Sequence, residues 1–143
     1  RQGRFPPPEG RRGRRWSLGD TTDRRGRGIA RIPNLFSPVT REKNPALIDK
    51  QIAGLNNFSP QALVSYYEAM IARPDRTNVL QTTDLPVLFI MGQYDNAVPL
   101  QDGLKQAHIP EKSYIYKLEQ SGHMGMLEEA EETNRIFSGF ISH

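Results

Sequence analysis

The sequence contains no cysteine, which excludes disulfides, thiolate zinc sites and a cysteine nucleophile. No apolar run approaches the roughly 18 residues that a membrane-spanning helix needs, and no secretory apolar segment follows the first residue. These absences are compatible with a cytoplasmic protein, which is the location we expect, and they predict no contact with a membrane. The sequence begins with Arg1 rather than Met, so we expect it to be a portion of a longer protein.

Apolar residues are scarce, at 36% of 143 residues, and the mean hydropathy of -0.63 agrees. The length allows one domain at most. Lysine is absent from residues 1–31, where ten Arg and three acidic residues give a charge of +7. Residues 32–143 hold nine Lys and Arg against thirteen acidic residues, a charge of -4, and the two parts together make the overall +3. The basic character of the chain therefore belongs to its N-terminal segment.

Residues 1–31 form an Arg/Gly/Pro-rich segment that we expect to be disordered, because it has too few apolar side chains to offset its ordering entropy. Three interpretations are open: an arm that binds nucleic acid through phosphates, a solvated tail without a role, or non-native sequence from a reading-frame error. Phe5 and Trp16 alone make a thin stacking platform, so nucleic acid is not the partner that we expect. The abrupt change near Ile29 favours the frame error, which a genomic read across the junction would test.

Residues 32–80 are predicted to form a helical segment. PNLFSP (33–38) indicates a loop with a buried Leu35–Phe36 pair. Asn44-Pro45 and Ser59-Pro60 are typical helix starts, and Gly54 and Pro74 are stops, so the pattern predicts two helices in a hairpin.

Residues 81–143 are predicted to alternate strand and helix. The continuous apolar run at 85–92 is typical of a strand covered on both faces in a parallel sheet. A helix at 99–107, an alternating strand at 113–118 and an amphipathic helix at 126–141 follow. A strand–helix–strand unit implies a right-handed crossover and parallel pairing, so the predicted fold class is α/β.

The candidate catalytic residues follow the two predicted strands. Asp95 lies in the loop after the first strand, and His123 in the loop after the second. Because neighbouring parallel strands end at the same edge of a sheet, we expect the two side chains to meet. A carboxylate beside a histidine fixes the imidazole tautomer and stabilises the imidazolium. Gly92 and Gly122 let the chain turn at these two loops.

The pattern L-P-V-L-F-I-M-G-x-x-D-x-x-V-P, then a strand and S-G-H-x-x-x-x-E, closely resembles the last third of α/β-hydrolase-fold enzymes. The resemblance implies the C-terminal part of that fold, with its last two parallel strands and flanking helices, in residues 81–143. It implies that Asp95 is the acid and His123 the base of a catalytic triad, and that residues 32–80 are a helical cap over the active site. No cofactor is implied, because the family's chemistry uses none.

Rival residues fit this pattern less well. Asp102 falls inside a predicted helix, His108 lies in a loop without a patterned partner, and His143 is terminal. The family's nucleophile motif, G-x-S-x-G, does not occur in the sequence. The serines considered in its place, none of them on a strand-to-helix elbow, are Ser17, Ser37, Ser59, Ser65 and Ser121.

The predicted function is hydrolysis of a small ester or amide by an intact parent protein, with this chain inactive alone. The alternative is a non-catalytic protein with an Arg-rich nucleic-acid arm. A third interpretation keeps the fold but changes the reaction to haloalkane or epoxide hydrolysis, C–C bond cleavage or cofactor-free peroxidase chemistry. Two strands also make a poor independent core, so we expect an open strand edge that invites self-association.

Overall fold

The computed structural model describes residues 31–55 and 57–142. A short 3-10 helix begins this part of the chain at Ile32–Leu35. The elements that follow are α1 (Pro38–Lys43), α2 (Pro45–Leu55), α3 (Pro60–Ala72), α4 (Thr77–Thr82), β1 (Val87–Gly92), α5 (Leu100–Ala107), β2 (Ser113–Leu118), α6 (Gly125–Glu128) and α7 (Ala130–Ile141).

The two strands pair in parallel, as the sequence predicts, with α5 as the crossover between them. The register runs from Val87 opposite Ser113 to Gly92 opposite Leu118. β1 begins at Val87 rather than at the predicted residue 85. Pro86 has no N–H for the ladder, whereas the Val87 N–H donates to the Lys112 carbonyl at 2.9 Å. Both strands therefore end at one edge of the sheet.

Two of the helices begin at a serine followed by proline. The Ser37 hydroxyl accepts from the Thr40 N–H, and the Ser59 hydroxyl accepts from the Ala62 N–H, each at 3.1 Å. Such capping satisfies an otherwise unpaired amide of the first turn. The prediction of a loop at 33–38 is wrong. These residues form the end of the 3-10 helix, a short link and the start of α1.

The sequence did not predict α4, which has no apolar periodicity long enough to mark it. Its start is held by Asp75, whose Oδ1 accepts from the Thr77 hydroxyl at 2.6 Å and from the Thr77 N–H at 2.8 Å. Both hydrogen bonds lower the pKa of the exposed Asp75 carboxyl, and the bond from the Thr77 hydroxyl has the larger effect.

The predicted single helix at 126–141 is wrong, because the structure divides it into α6 and α7. Glu129 lies between the two helices with φ -126° and ψ 58°, outside helical geometry. No glycine or proline marks this break in the sequence. The side chains of Glu128 and Glu129 reach back to the preceding loop, and that tertiary demand overrides the local helical pattern.

A hydrophobic cluster lies where the N-terminal helices meet α6. Phe36 is fully buried and forms a cluster with Ile32 and Ile48. The partly buried side chains packed against this cluster are Leu35, Leu47, Ile52, Leu55, Met124 and Leu127. The segment that carries Phe36 is thereby fixed beside the loop that follows β2.

The sheet is less covered than the sequence predicts. The side chains of Val87–Met91 in β1 are half-buried rather than enclosed on both faces. In β2 the four residues Tyr114–Lys117 are all exposed, so burial does not alternate along this strand. Among the described helices, none is both long and apolar enough to cross a membrane.

Candidate active site

The loop after β1 holds Asp95 through its own side chain. Asp95 Oδ1 accepts from the backbone N–H groups of Ala97 and Val98, both at 2.8 Å. Aspartate commonly closes a turn in this way. The side chain is 11% exposed, and the second oxygen, Oδ2, is left to face a different partner.

The loop after β2 brings His123 to the same edge. The Tyr94 N–H donates to the Ser121 carbonyl at 2.9 Å, which joins the two loops directly. The His123 N–H donates to the Leu35 carbonyl at 2.7 Å, so the backbone of this residue is also tied to the N-terminal helices.

The two predicted residues meet as expected: His123 Nδ1 lies 2.9 Å from Asp95 Oδ2. The histidine side chain is 40% exposed, whereas the carboxylate is largely enclosed. In this geometry the carboxylate accepts the proton of Nδ1 and leaves Nε2 unprotonated in the neutral ring. The pair can therefore take up a proton at Nε2 and hold the resulting imidazolium.

The close approach of the two loops requires glycine at two positions. A Cβ atom on Gly92 would overlap the Gly122 carbonyl oxygen and lie 2.7 Å from the Ser121 carbonyl oxygen. A Cβ atom on Gly122 would lie 2.7 Å from the Leu35 carbonyl oxygen. All of these neighbours are backbone atoms, which cannot rotate away.

Gly92→Ala should therefore destabilise the chain by about 3 kcal/mol or more, since overpacking against rigid atoms typically costs 1–3 kcal/mol and occasionally more. Chemical denaturation monitored by circular dichroism would measure the change. Gly139→Ala is the matched control. Gly139 lies in α7 with open space around its Cβ position, so the substitution should stabilise the chain by roughly 0.5–1 kcal/mol. Equal stabilities of the two variants would contradict the close loop contact.

The rival residues lie elsewhere. Asp102 is in α5, where its Oδ1 accepts from Lys105 Nζ at 3.0 Å. His108 follows α5 and is exposed. Ser17 and His143 lie outside the described residues, as does the whole segment 1–30.

Four of the serines considered as nucleophiles lie within the described residues, and three of them have structural roles. Ser37 and Ser59 begin helices, and Ser65 lies exposed in α3. Ser121 is buried, and its hydroxyl donates to Glu129 Oε2 at 2.5 Å. Within residues 31–55 and 57–142, no serine hydroxyl forms a hydrogen bond with the His123 ring. This part of the chain therefore contains the paired His123 and Asp95 but no serine hydroxyl bound to the ring.

Two glutamates were missed as parts of the site. Glu128 Oε1 accepts from the Gly122 N–H at 2.8 Å and from the Met124 N–H at 3.3 Å, on either side of His123. Glu129 Oε2 accepts from the Gln120 N–H at 3.0 Å as well as from Ser121. Both glutamates fall within the amphipathic helix that the sequence predicts at 126–141. The available signal is the last residue of the S-G-H-x-x-x-x-E pattern, which is Glu128, five residues after His123.

A metal site is not formed by the described residues, since no three His, Asp or Glu side chains among them cluster as a metal ion requires.

The fold and the pair define a class: parallel α/β proteins with an acid and a histidine on the loops after two adjacent strands. No family model matches the sequence, and no curated protein matches it. Solved structures do match. An esterase from Thermogutta terrifontis superimposes with a TM-score of 0.74 at 21% identity, over 85% of this chain and 50% of the esterase. An enol-lactonase from Burkholderia xenovorans superimposes with a TM-score of 0.74 at 20% identity, over 86% of this chain and 48% of the lactonase.

An esterase from Exiguobacterium antarcticum gives a TM-score of 0.72 at 18% identity, over 87% of this chain and 45% of the esterase. The described residues thus have the α/β-hydrolase fold, and they correspond to its C-terminal part. The chain spans about half the length of these solved structures.

Proposed function

We propose that the protein is a hydrolase that cleaves a small carboxylic ester or amide, with His123 as general acid/base and Asp95 as the residue that orients it. The observation that carries this proposal is the 2.9 Å contact between His123 Nδ1 and Asp95 Oδ2, formed by loops after adjacent parallel strands. The fold shared with two esterases and a lactonase supports the same class of reaction.

The reaction needs a nucleophile that is not among the described residues. Its hydroxyl oxygen would attack the substrate carbonyl while Nε2 of His123 takes the hydroxyl proton. The ring then returns that proton to the departing alcohol or amine, which leaves an acyl-enzyme. In the second half, His123 takes a proton from the water that attacks the acyl carbon and gives it to the oxygen of the nucleophile, so that the acyl–oxygen bond breaks and the carboxylic acid leaves. Asp95 holds the ring in one tautomer throughout and stabilises its positive charge.

We further propose that residues 81–143 are the C-terminal part of the catalytic core and residues 32–80 its helical cap. Exposed apolar side chains along α3 support a cap that lines an apolar pocket; they are Tyr66, Tyr67, Met70 and Ile71. Phe58 and Tyr66 stack edge to face with ring centres 6.1 Å apart. These aromatic groups suit a substrate with an apolar acyl or alcohol part.

A fluorophosphonate probe, which reacts with activated serine hydroxyls, tests the proposal. The complete gene product that contains this sequence should be labelled, and His123→Ala should abolish the labelling, because the ring removes the proton of the nucleophile. The 143-residue chain alone should remain unlabelled and should hydrolyse an activated ester no faster than its own His123→Ala variant. Labelling of the 143-residue chain that depends on His123 would show that a nucleophile lies within it. Undiminished labelling of His123→Ala in the complete product would refute the role of His123.

Self-association is a second proposal for the isolated chain. Within the described residues β1 pairs only with β2, so one edge of each strand is open, and apolar residues of β2 are 40–45% exposed. Open apolar edges promote association. Sedimentation velocity should show a mass that rises with concentration. A lysine in place of Ile115, which is 42% exposed, should shift the chain towards monomer. A concentration-independent monomer would contradict this proposal.

Nucleic acid remains the alternative partner because of one observation, the charge of +7 on residues 1–31. Under this alternative, the chain would bind single-stranded nucleic acid with an affinity that falls steeply with salt. Deletion of residues 1–31 would abolish that binding. We expect the intact and the shortened chain to bind equally weakly in a fluorescence anisotropy titration.

A further inference from the structure

The carboxylate of Glu128 lies at the meeting point of two segments that are distant in the sequence. Its Oε1 accepts from the amides of Gly122 and Met124. Its Oε2 accepts from the Ser37 N–H at 2.8 Å and from the Thr40 hydroxyl at 2.7 Å. Each oxygen thus receives two donors, and the side chain joins the loop after β2 to the start of α1.

Together these contacts fix the backbone on both sides of the catalytic histidine. The amides of Gly122 and Met124 bind Glu128, and the amide between them, that of His123, binds the Leu35 carbonyl. Leu35 belongs to the segment that Glu128 also holds through Ser37. All three consecutive amides therefore depend, directly or through residues 35–40, on one carboxylate.

We propose that Glu128 is the positioning residue of the active site, which holds the His123 loop against residues 35–40 so that Nδ1 of the ring faces Asp95. This inference rests on the proposed role of His123 as the base. Bonds from neutral donors to an ionised carboxylate are stronger than neutral pairs, and four donors leave it little freedom to move. A buried hydrophobic contact alone would not fix the loop's orientation in this way.

Glutamine at position 128 cannot replace the carboxylate. A carboxamide has one oxygen acceptor, and its NH₂ group would take the place of the other carboxylate oxygen. There it would face the two donors that now bind that oxygen. If the oxygen stays with Gly122 and Met124, the Ser37 N–H loses its partner. If the oxygen instead faces Ser37 and Thr40, the Gly122 and Met124 N–H groups of the histidine loop both lose their acceptor. Either arrangement loosens the loop from one of its two attachments.

The test is the proton position on the neutral His123 ring, read from ¹⁵N NMR shifts of the 143-residue chain. In the unsubstituted chain the proton should lie on Nδ1. Glu128→Gln should lose Nδ1–H population and approach the mixture of a free imidazole. Glu131→Gln removes the same charge from an exposed site in α7, so it should match the unsubstituted chain. Adding Glu128→Gln to Asp95→Asn should cause no further loss, because Glu128 acts through the contact with Asp95.

Other outcomes also decide the question. A folded Glu128→Gln chain with an unchanged proton position would overturn the inference. If that variant does not fold, Thr40→Val removes one of the four donors and keeps the carboxylate. A partial loss of Nδ1–H in Thr40→Val supports the positioning role, and no loss assigns Glu128 to stability alone. If Asp95→Asn leaves the proton in place, the proposed function fails; if Asp95→Asn moves the proton and a folded Glu128→Gln chain does not, the positioning role alone fails.

Discussion

Asp95→Asn should lower kcat for the proposed ester hydrolysis by about 10⁴-fold in the complete gene product, the magnitude found when the carboxylate of a catalytic triad is replaced by its amide. The structure supplies the reason. Asp95 Oδ1 is held by the amides of Ala97 and Val98, so an asparagine would keep its oxygen there. Its NH₂ group would then occupy the place of Oδ2 and donate to Nδ1 of His123.

That reversal puts the ring proton on the wrong nitrogen. With Nδ1 accepting from Asn, the neutral ring carries its proton on Nε2 and cannot take one from the nucleophile. KM should change little, because neither tautomer alters contacts with the remote parts of the substrate. Asp102→Asn is the matched control, since Asp102 pairs with Lys105 in α5, and it should retain nearly full kcat. Equal losses in both variants would contradict the assignment of Asp95.

Phe36→Ala should lower the free energy of unfolding of the 143-residue chain by about 3–5 kcal/mol, the usual cost of removing a fully buried aromatic ring. Phe36 is 0% exposed and centres the cluster with Ile32 and Ile48. Total stabilities of small domains are about 5–15 kcal/mol, so this loss would remove a large fraction of the stability.

Urea denaturation followed by circular dichroism would measure this loss. Phe137→Ala is the control, because Phe137 is 47% exposed and its replacement should cost less than half as much. A loss near zero for Phe36→Ala would mean that the N-terminal helices do not pack on α6. The same variant should also weaken the hold on His123, whose amide binds the neighbouring Leu35 carbonyl.

The features that were predicted correctly depend on local patterns. β2 was found at its observed bounds, because SYIYKL carries the β-branched and aromatic residues of a strand. The meeting of Asp95 and His123 followed from one rule of topology, that parallel neighbours end at one edge. The helix starts at Ser37 and Ser59 differ in outcome: the second was predicted, whereas PNLFSP was expected to be a loop.

The features that were missed depend on contacts between distant residues. Glu128 binds Ser37 across 91 positions of sequence, and no local pattern records such a bond. The same demand divides α6 from α7 at Glu129, where periodicity predicted one continuous helix. Local propensity is a weak guide wherever side chains must satisfy a distant backbone.

The proton position on His123 tests the central claim most directly. In ¹⁵N NMR of the 143-residue chain, at a pH where the ring is neutral, the proton should lie on Nδ1 in the unsubstituted chain and in Asp102→Asn. In Asp95→Asn it should move to Nε2. A proton that stays where it was in Asp95→Asn, or that lies on Nε2 in the unsubstituted chain, would show that Asp95 does not orient His123 for catalysis.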